Sequence, residues 1–277
     1  MVWNVDPEIV NIGGFGLRYY SLMFIIAIVL GTEYVKKRFL ANKLTTAQLD
    51  SLQTHVIVGM IIGARLGHCL FYDPAYYLAH PLEILQVWKG GLASHGGFAG
   101  VIFAVFLFSR KWANKSFMWF VETIVPSAVL AAGLIRIGNL FNSEILGKKT
   151  DVAWGFIFQR VDSFTRHPAQ LYEAISFFMI AFFFHFLWKK NFETKKWSPG
   201  VGLGLAFIFP FSARFLIEFF KIEQVNFEKG MILNMGQILS IPFIFIGLYL
   251  LSGHINKVPF FDFLTKEPLN KKRKKKK

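Results

Sequence analysis

The sequence predicts an all-α membrane protein with seven transmembrane helices, its N-terminus outside, its C-terminus cytoplasmic, and a small extracytoplasmic cap. Three observations carry that expectation. Residues of the AVILMFWYC set make up 54% of the 277 positions and charged residues only 17%, against about 25% charged in an average soluble domain, so polar surface is too scarce to face water on every side. The apolar residues gather in runs of roughly 20, the length that crosses a bilayer as a helix. Lysine and arginine concentrate in alternate loops between those runs, which is how cytoplasmic loops are marked.

Taken in order, the runs cover residues 19–35, 52–71, 92–109, 117–137, 170–188, 201–220 and 231–252. The loops after the first, third and fifth carry Lys36, Lys37, Arg38 and Lys43, then Arg110, Lys111 and Lys115, then Lys189, Lys190, Lys195 and Lys196. The intervening loops are poorer in cations or mix them with Asp151 and Asp162. Residues 1–256 are expected to form one polytopic domain. Residues 139–168 form its only long extramembrane connection, the cap, where the alternation over residues 153–158 suggests a short strand or hairpin. Residues 257–277 are expected to form a basic cytoplasmic tail. Its end, residues 271–277, supplies half of the +14 formal charge and suits a disordered arm on anionic headgroups rather than a nucleic-acid or protein partner. The first residues lack a basic stretch and a small-residue cleavage site, so the first span is expected to stay in place.

Other chemistries are narrowed early. Cys69 is the single cysteine, so neither an internal disulfide nor a cysteine-held metal is available. The histidines have no metal-like spacing; no metal and no cofactor are expected. An odd helix count without an internal repeat sits poorly with the inverted-repeat architecture of many transporters.

Ionisable residues inside the runs carry the functional signal, because each costs about 2.5 to 3.5 kcal/mol at the centre of a span unless it is paired or hydrated. Arg65 interrupts the second run, His95 the third, Glu122 and Arg136 the fourth, Glu173 the fifth, and Arg214 with Glu218 the sixth. Arg214 and Glu218 are one helical turn apart, so one reading is an internal salt bridge. Arg136 is read as a phosphate ligand, since the guanidinium fork matches phosphate oxygens and the abundant anions of a bilayer are lipid headgroups; a structural cross-helix pairing is the alternative. His95 stands in Ser94-His95-Gly96-Gly97, where glycines admit a close approach and imidazole titrates in the range of a general base. In Arg136-Ile137-Gly138-Asn139-Leu140-Phe141-Asn142-Ser143-Glu144, helical continuation would put Arg136, Asn139 and Ser143 on one face.

Together these segments resemble the phosphatidylglycerol:prolipoprotein diacylglyceryl transferase family of bacterial inner membranes. The resemblance rests on Asp6-Pro7, Leu17-Arg18-Tyr19-Tyr20, Gly63-Ala64-Arg65-Leu66-Gly67, the segment around His95, residues 133–144, His167-Pro168-Ala169-Gln170-Leu171-Tyr172-Glu173, Arg214 with Glu218, and residues 235–242, in order along nearly the whole chain. It implies transfer of a diacylglyceryl group from phosphatidylglycerol to the lipobox cysteine thiol of a prolipoprotein, with glycerol phosphate released. It also implies catalytic roles for His95, Arg136, Arg214 and Tyr20, and contacts to phosphatidylglycerol from Arg136, Asn139, Arg214, Glu144, Arg65 and Glu218. The nucleophilic sulfur belongs to the partner, so Cys69 is expected to serve packing only. Departures from the family pattern are Ser143 for glycine, Leu146 for tryptophan, and Pro210 where many relatives carry tyrosine. The competing readings are a transporter or flippase for an anionic lipid or solute, and a lipid-binding scaffold.

Overall fold

The computed structural model describes residues 1–13, 15–111, 115–192, 194, 196–223, 228, 230–253 and 263–266. The basic run at residues 271–277, most of the predicted tail, Lys195 and His254 lie outside the described residues.

Helices dominate: α1 (Tyr19–Ala41), α2 (Thr46–Phe71), α3 (Pro74–Ala79), α4 (Ser94–Lys111), α5 (Phe117–Phe141), α6 (Ala169–Leu187), α7 (Val201–Ile217) and α8 (Met235–Leu251). Seven of them coincide with the predicted runs. Among the described residues five are long and apolar enough to cross a membrane: α1, α2, α5, α6 with the turn that continues it to Asn191, and α7 with the turn that continues it to Phe220. In α4 the apolar stretch is bounded within the helix by His95 at one end and by Arg110 and Lys111 at the other; α8 is a shorter apolar helix of 17 residues. Two helix starts are fixed by capping boxes, Thr45 with Gln48 before α2 and Asn234 with Gln237 before α8, each satisfying backbone donors that the helix itself leaves open.

The all-α expectation needs one correction, for the described residues include five short strands. The alternation at residues 153–158 does yield a strand, β4 (Phe156–Phe158), paired antiparallel with β5 (Thr165–Arg166) and parallel with β1 (Val2–Trp3). The N-terminal strands were not anticipated. β1 is two residues long, too short for any period to register, and the hairpin β2 (Glu8–Ile12) with β3 (Phe15–Arg18) has a register shift between Glu8 and Val10 that breaks alternation.

The chain forms two compact units, one of Met1–Tyr34 with the chain from Ile124 through α8, the other of Val35–Thr123 with residues 263–266. In the first, Val125 and Val129 of α5, Phe177, Ala181 and Phe184 of α6, Ala206 of α7 and the fully buried Trp188 make an apolar core. A smaller cluster of Leu140, Leu146, Phe156 and Phe158 seats the connection between α5 and α6. Leu146, the departure from tryptophan, is thus buried in that cluster.

In the second unit, α2 and α4 meet backbone to backbone. A Cβ added at Gly63 would come within 2.3 Å of Gly96 O, and one at Gly100 within 2.0 Å of Gly59 O. Small residues permit such an approach between apolar helices, where dispersion rather than water exclusion drives association. Gly63→Ala is expected to force the pair apart and lower the thermal unfolding midpoint of the purified protein, by about 1 to 3 kcal/mol of stability. Gly31→Ala, whose Cβ would meet Ser127 Cβ at an ordinary 3.6 Å, leaves the midpoint unchanged or raises it.

Candidate functional site

The last turn of α5 builds the densest polar cluster. Arg136 donates from Nη1 to Asn139 Oδ1 at 3.2 Å, Asn139 Nδ2 donates to Glu144 Oε2 at 3.1 Å, and Asn142 Nδ2 donates to Glu144 Oε1 at 2.9 Å. Glu144 reaches back because the helix ends in a Schellman reversal: Ser143 N–H bonds Leu140 O at 3.0 Å and Glu144 N–H bonds Asn139 O at 3.0 Å. That reversal requires a left-handed residue, and Ser143 supplies it at φ 55°. The family's glycine at this position has its physical reason there. Gln170 at the start of α6 holds the Glu144 carbonyl through its side-chain amide. Asn142 Oδ1, Ser143 Oγ and Gln170 Oε1 are buried without a hydrogen-bond partner among the described residues.

A charge chain runs from this turn into the helix ends. Glu173, with 0% of its side chain exposed, places Oε2 3.0 Å from Arg136 Nε and Oε1 2.9 Å from Lys221 Nζ. Lys221 also lies 2.9 Å from Glu218 Oε2. Room for the Glu218 carboxylate comes from Gly236 of α8, where a Cβ would fall 2.4 Å from Glu218 Cδ. Of the two readings of Arg136, the cross-helix pairing is present, and its Nη2 makes no hydrogen bond among the described residues. The internal bridge between Arg214 and Glu218 does not form. Glu218 pairs with Lys221 instead, and the half-buried Arg214 has neither a hydrogen bond nor an ion pair among the described residues. Tyr20, at the start of α1, lies against Gly138 between Arg136 and Asn139, where a Cβ would come within 2.8 Å of its ring.

The connection between α5 and α6 is tied to the end of α7. Lys148 N–H bonds Phe220 O at 2.7 Å, Ile222 N–H bonds Leu146 O at 3.2 Å, and Gly147 bridges Lys221. Arg166 grips Asp162 from Nε at 3.1 Å and donates to Gly147 O at 3.1 Å. The guanidinium of Arg166 holds the Asp162 carboxyl below the usual aspartate range.

The second unit holds the other two predicted site residues. Arg65, buried at the end of α2, spends its guanidinium on backbone carbonyls: Nε on Ile84 O at 2.9 Å, Nη1 on Gly90 O at 2.7 Å and Gly91 O at 3.3 Å, and Nη2 on Glu83 O. It also lies over the Tyr77 ring at 5.0 Å. The connection from α3 to α4 makes two short 3-10 turns, Pro81–Leu85 and Val87–Lys89, and Arg65 ties carbonyls of the first, and of the glycines that follow the second, to α2. His95 is exposed in the first turn of α4, beside the glycine seam, and its ring has no hydrogen bond among the described residues.

Sequence reasoning placed Glu173 in a span and in a motif but gave it no role, and it passed over Lys221 and Gln170. Lys221 follows an apolar run and reads as an ordinary flanking cation; only its position between two carboxylates distinguishes it. Among the described residues no group of histidine, cysteine, aspartate and glutamate could hold a metal ion.

Several long apolar helices and an ion-pair chain with open guanidinium groups at the helix ends define a multi-pass membrane protein with a site suited to an anion. Comparison with known proteins narrows this further. The family model for prolipoprotein diacylglyceryl transferase matches residues 7–252, and the chain belongs to that family. Relatives named phosphatidylglycerol–prolipoprotein diacylglyceryl transferase include one from Chloroherpeton thalassium, 45% identical over 250 residues, covering 90% of this chain and 92% of the relative. The one from Tolumonas auensis is 41% identical over 251 residues, covering 91% and 96%. That from Bacteroides fragilis is 45% identical over 259 residues, covering 89% and 92%.

Proposed function

We propose that this chain transfers the diacylglyceryl group of phosphatidylglycerol to the lipobox cysteine thiol of prolipoproteins in the bacterial inner membrane, the first step of lipoprotein maturation. The observation that carries the reading is a pair of cations within one unit: among the described residues Arg214 has no counter-ion and Arg136 Nη2 has no hydrogen bond. A membrane protein keeps an uncompensated guanidinium among apolar helices only where an anion or water meets it, and the lipid substrate brings a phosphodiester. The topology that suits this chemistry is seven spans, with the N-terminus and the 139–168 cap outside and the basic tail in the cytoplasm, in keeping with the lysine and arginine bias of the loops.

The reaction forms a carbon–sulfur bond on the glycerol carbon of the diacylglyceryl group and breaks the bond from that carbon to the phosphate oxygen. The electron pair leaves with glycerol phosphate. Arg136 and Arg214 bind the phosphodiester and stabilise the charge that grows on it, an electrostatic contribution that needs donors fixed in advance. Asn139 and Glu144 fix Arg136 on its Nη1 side, and the exposed Glu144 receives the hydroxyl groups of the glycerol headgroup. Tyr20 donates a hydrogen bond to an ester or phosphate oxygen. Glu218 acts through Lys221. Arg65, expected from the sequence to touch lipid, has its donors committed to carbonyl groups, and its role in this reading is to shape the loop before His95. His95 takes the thiol proton, since a thiol with a pKa near 8.5 is mostly protonated at neutral pH.

The test is to incubate the purified protein with phosphatidylglycerol vesicles and a lipobox peptide. A mass gain of one diacylglyceryl group on cysteine is expected, with none on the cysteine-to-serine peptide. Lipid or solute movement without a covalent product would favour a transporter instead. In the same assay Arg136→Lys is expected to lose about 100-fold to 1,000-fold in rate, because a point charge replaces the fork; a rate near wild type removes Arg136 from the phosphate. His95→Gln is expected to slow transfer most at neutral pH and progressively less as the peptide thiol ionises. Equal slowing across the pH range would make His95 a positioning residue.

A further inference from the structure

We propose that Lys221 is a positioning residue that keeps the phosphate-binding edge of Arg136 open by claiming one oxygen of Glu173; the inference rests on the role proposed above for Arg136. Glu173 is wholly buried and has two oxygens, and Arg136 presents Nε and Nη2 along one edge, the arrangement in which carboxylate and guanidinium pair through two parallel hydrogen bonds. That double bond is not made. Oε1 forms a 2.9 Å hydrogen bond from Lys221 Nζ, while Oε2, at 3.0 Å from Arg136 Nε, lacks hydrogen-bond alignment. The orientation of the carboxylate therefore follows the lysine, and the contact to Arg136 is an off-axis ion pair.

Lys221 is itself held. Its side chain is 2% exposed, its second carboxylate is Glu218 at 2.9 Å, and its backbone bridges Gly147. One negative charge is thus divided between two cations, so Arg136 retains positive potential and a free Nη2. With Lys221 gone, the nearest cation for both oxygens of Glu173 is Arg136, and rotation of the carboxylate about its terminal bond would cap Nε and Nη2 together. The internal carboxylate would then compete with the lipid phosphate for the same donors.

The experiment measures KM for phosphatidylglycerol, KM for the lipobox peptide, kcat and the unfolding midpoint in mixed micelles for wild type, Lys221→Met, Lys221→Arg and Lys221→Met with Glu173→Gln. For Lys221→Met, KM for the lipid is expected to rise about tenfold to 100-fold, the worth of a charge-assisted hydrogen bond, with KM for the peptide unchanged. Lys221→Arg keeps the claim on Oε1 and is expected to stay within about threefold of wild type. If Lys221→Met does not fold, the double variant carries the test: Glu173 no longer bears the charge that would cap Arg136, Glu218 alone loses its cation, and the KM for the lipid is expected near wild type. An unchanged lipid KM in folded Lys221→Met, or a raised one in the folded double variant, overturns the proposal. So does a lower midpoint as the only effect. Transfer by wild type together with a large loss in Arg136→Lys upholds the role of Arg136 separately, so failure of the Lys221 proposal and failure of that reading are distinguishable.

Discussion

A charged group among apolar helices must be met by another charge or by water, and this constraint organises the first unit. Glu173, with no exposed side-chain surface, is acceptable there only because Arg136 and Lys221 approach it from two directions. Breaking one partner out of such a buried pair costs about 3 to 5 kcal/mol in proteins generally. The helices are thereby pinned at one end: α5 through Arg136, α6 through Glu173, the end of α7 through Glu218 and Lys221, and α8 through the space that Gly236 leaves for Glu218. In the function proposed above, structural pairing and substrate chemistry draw on the same side chain: Arg136 ties two helices with Nε against Glu173, and its Nη2 is the nitrogen assigned to the phosphate.

Much of the fold was legible in the sequence because helix length and apolar composition are fixed by the bilayer. The long helices begin and end within a few residues of the expected runs, and α1 starts at Tyr19 as read. α1 overshoots its run, continuing through Lys36, Lys37 and Arg38 to Ala41; basic residues are good helix formers and near a helix C-terminus they favour continuation. The strands escaped notice for a physical reason too. β1 and β4 are held by pairing between residues far apart in the chain, and Trp3 packs on Phe156 and Phe141, contacts that no local pattern records.

The site was legible in its residue types and less so in its pairings. Arg136, Asn139 and Glu144 were expected together, and the Schellman reversal that joins them persists despite serine at 143, which here takes the left-handed conformation that glycine adopts at no steric cost. The pairing of Glu218 was not legible. Spacing of four suggested Arg214, whereas the actual partner is Lys221, three residues on and past the end of α7. Sequence periodicity assumes a helix continues, and the chain leaves α-helical geometry at Glu218. Arg65 shows the same limit from the other side: a cation in a span suggests an anion, yet carbonyl oxygens of an irregular loop satisfy it equally well.

The contact of α2 and α4 through bare backbone has a mechanical consequence. Where side chains interdigitate, one helix can slip or rock while rotamers absorb the movement; glycine against glycine leaves no such cushion. The loop gripped by Arg65 and the turn bearing His95 are fastened to opposite sides of this rigid joint, so a push on the loop is passed to the imidazole as displacement of a whole helix end rather than dissipated in flexing side chains.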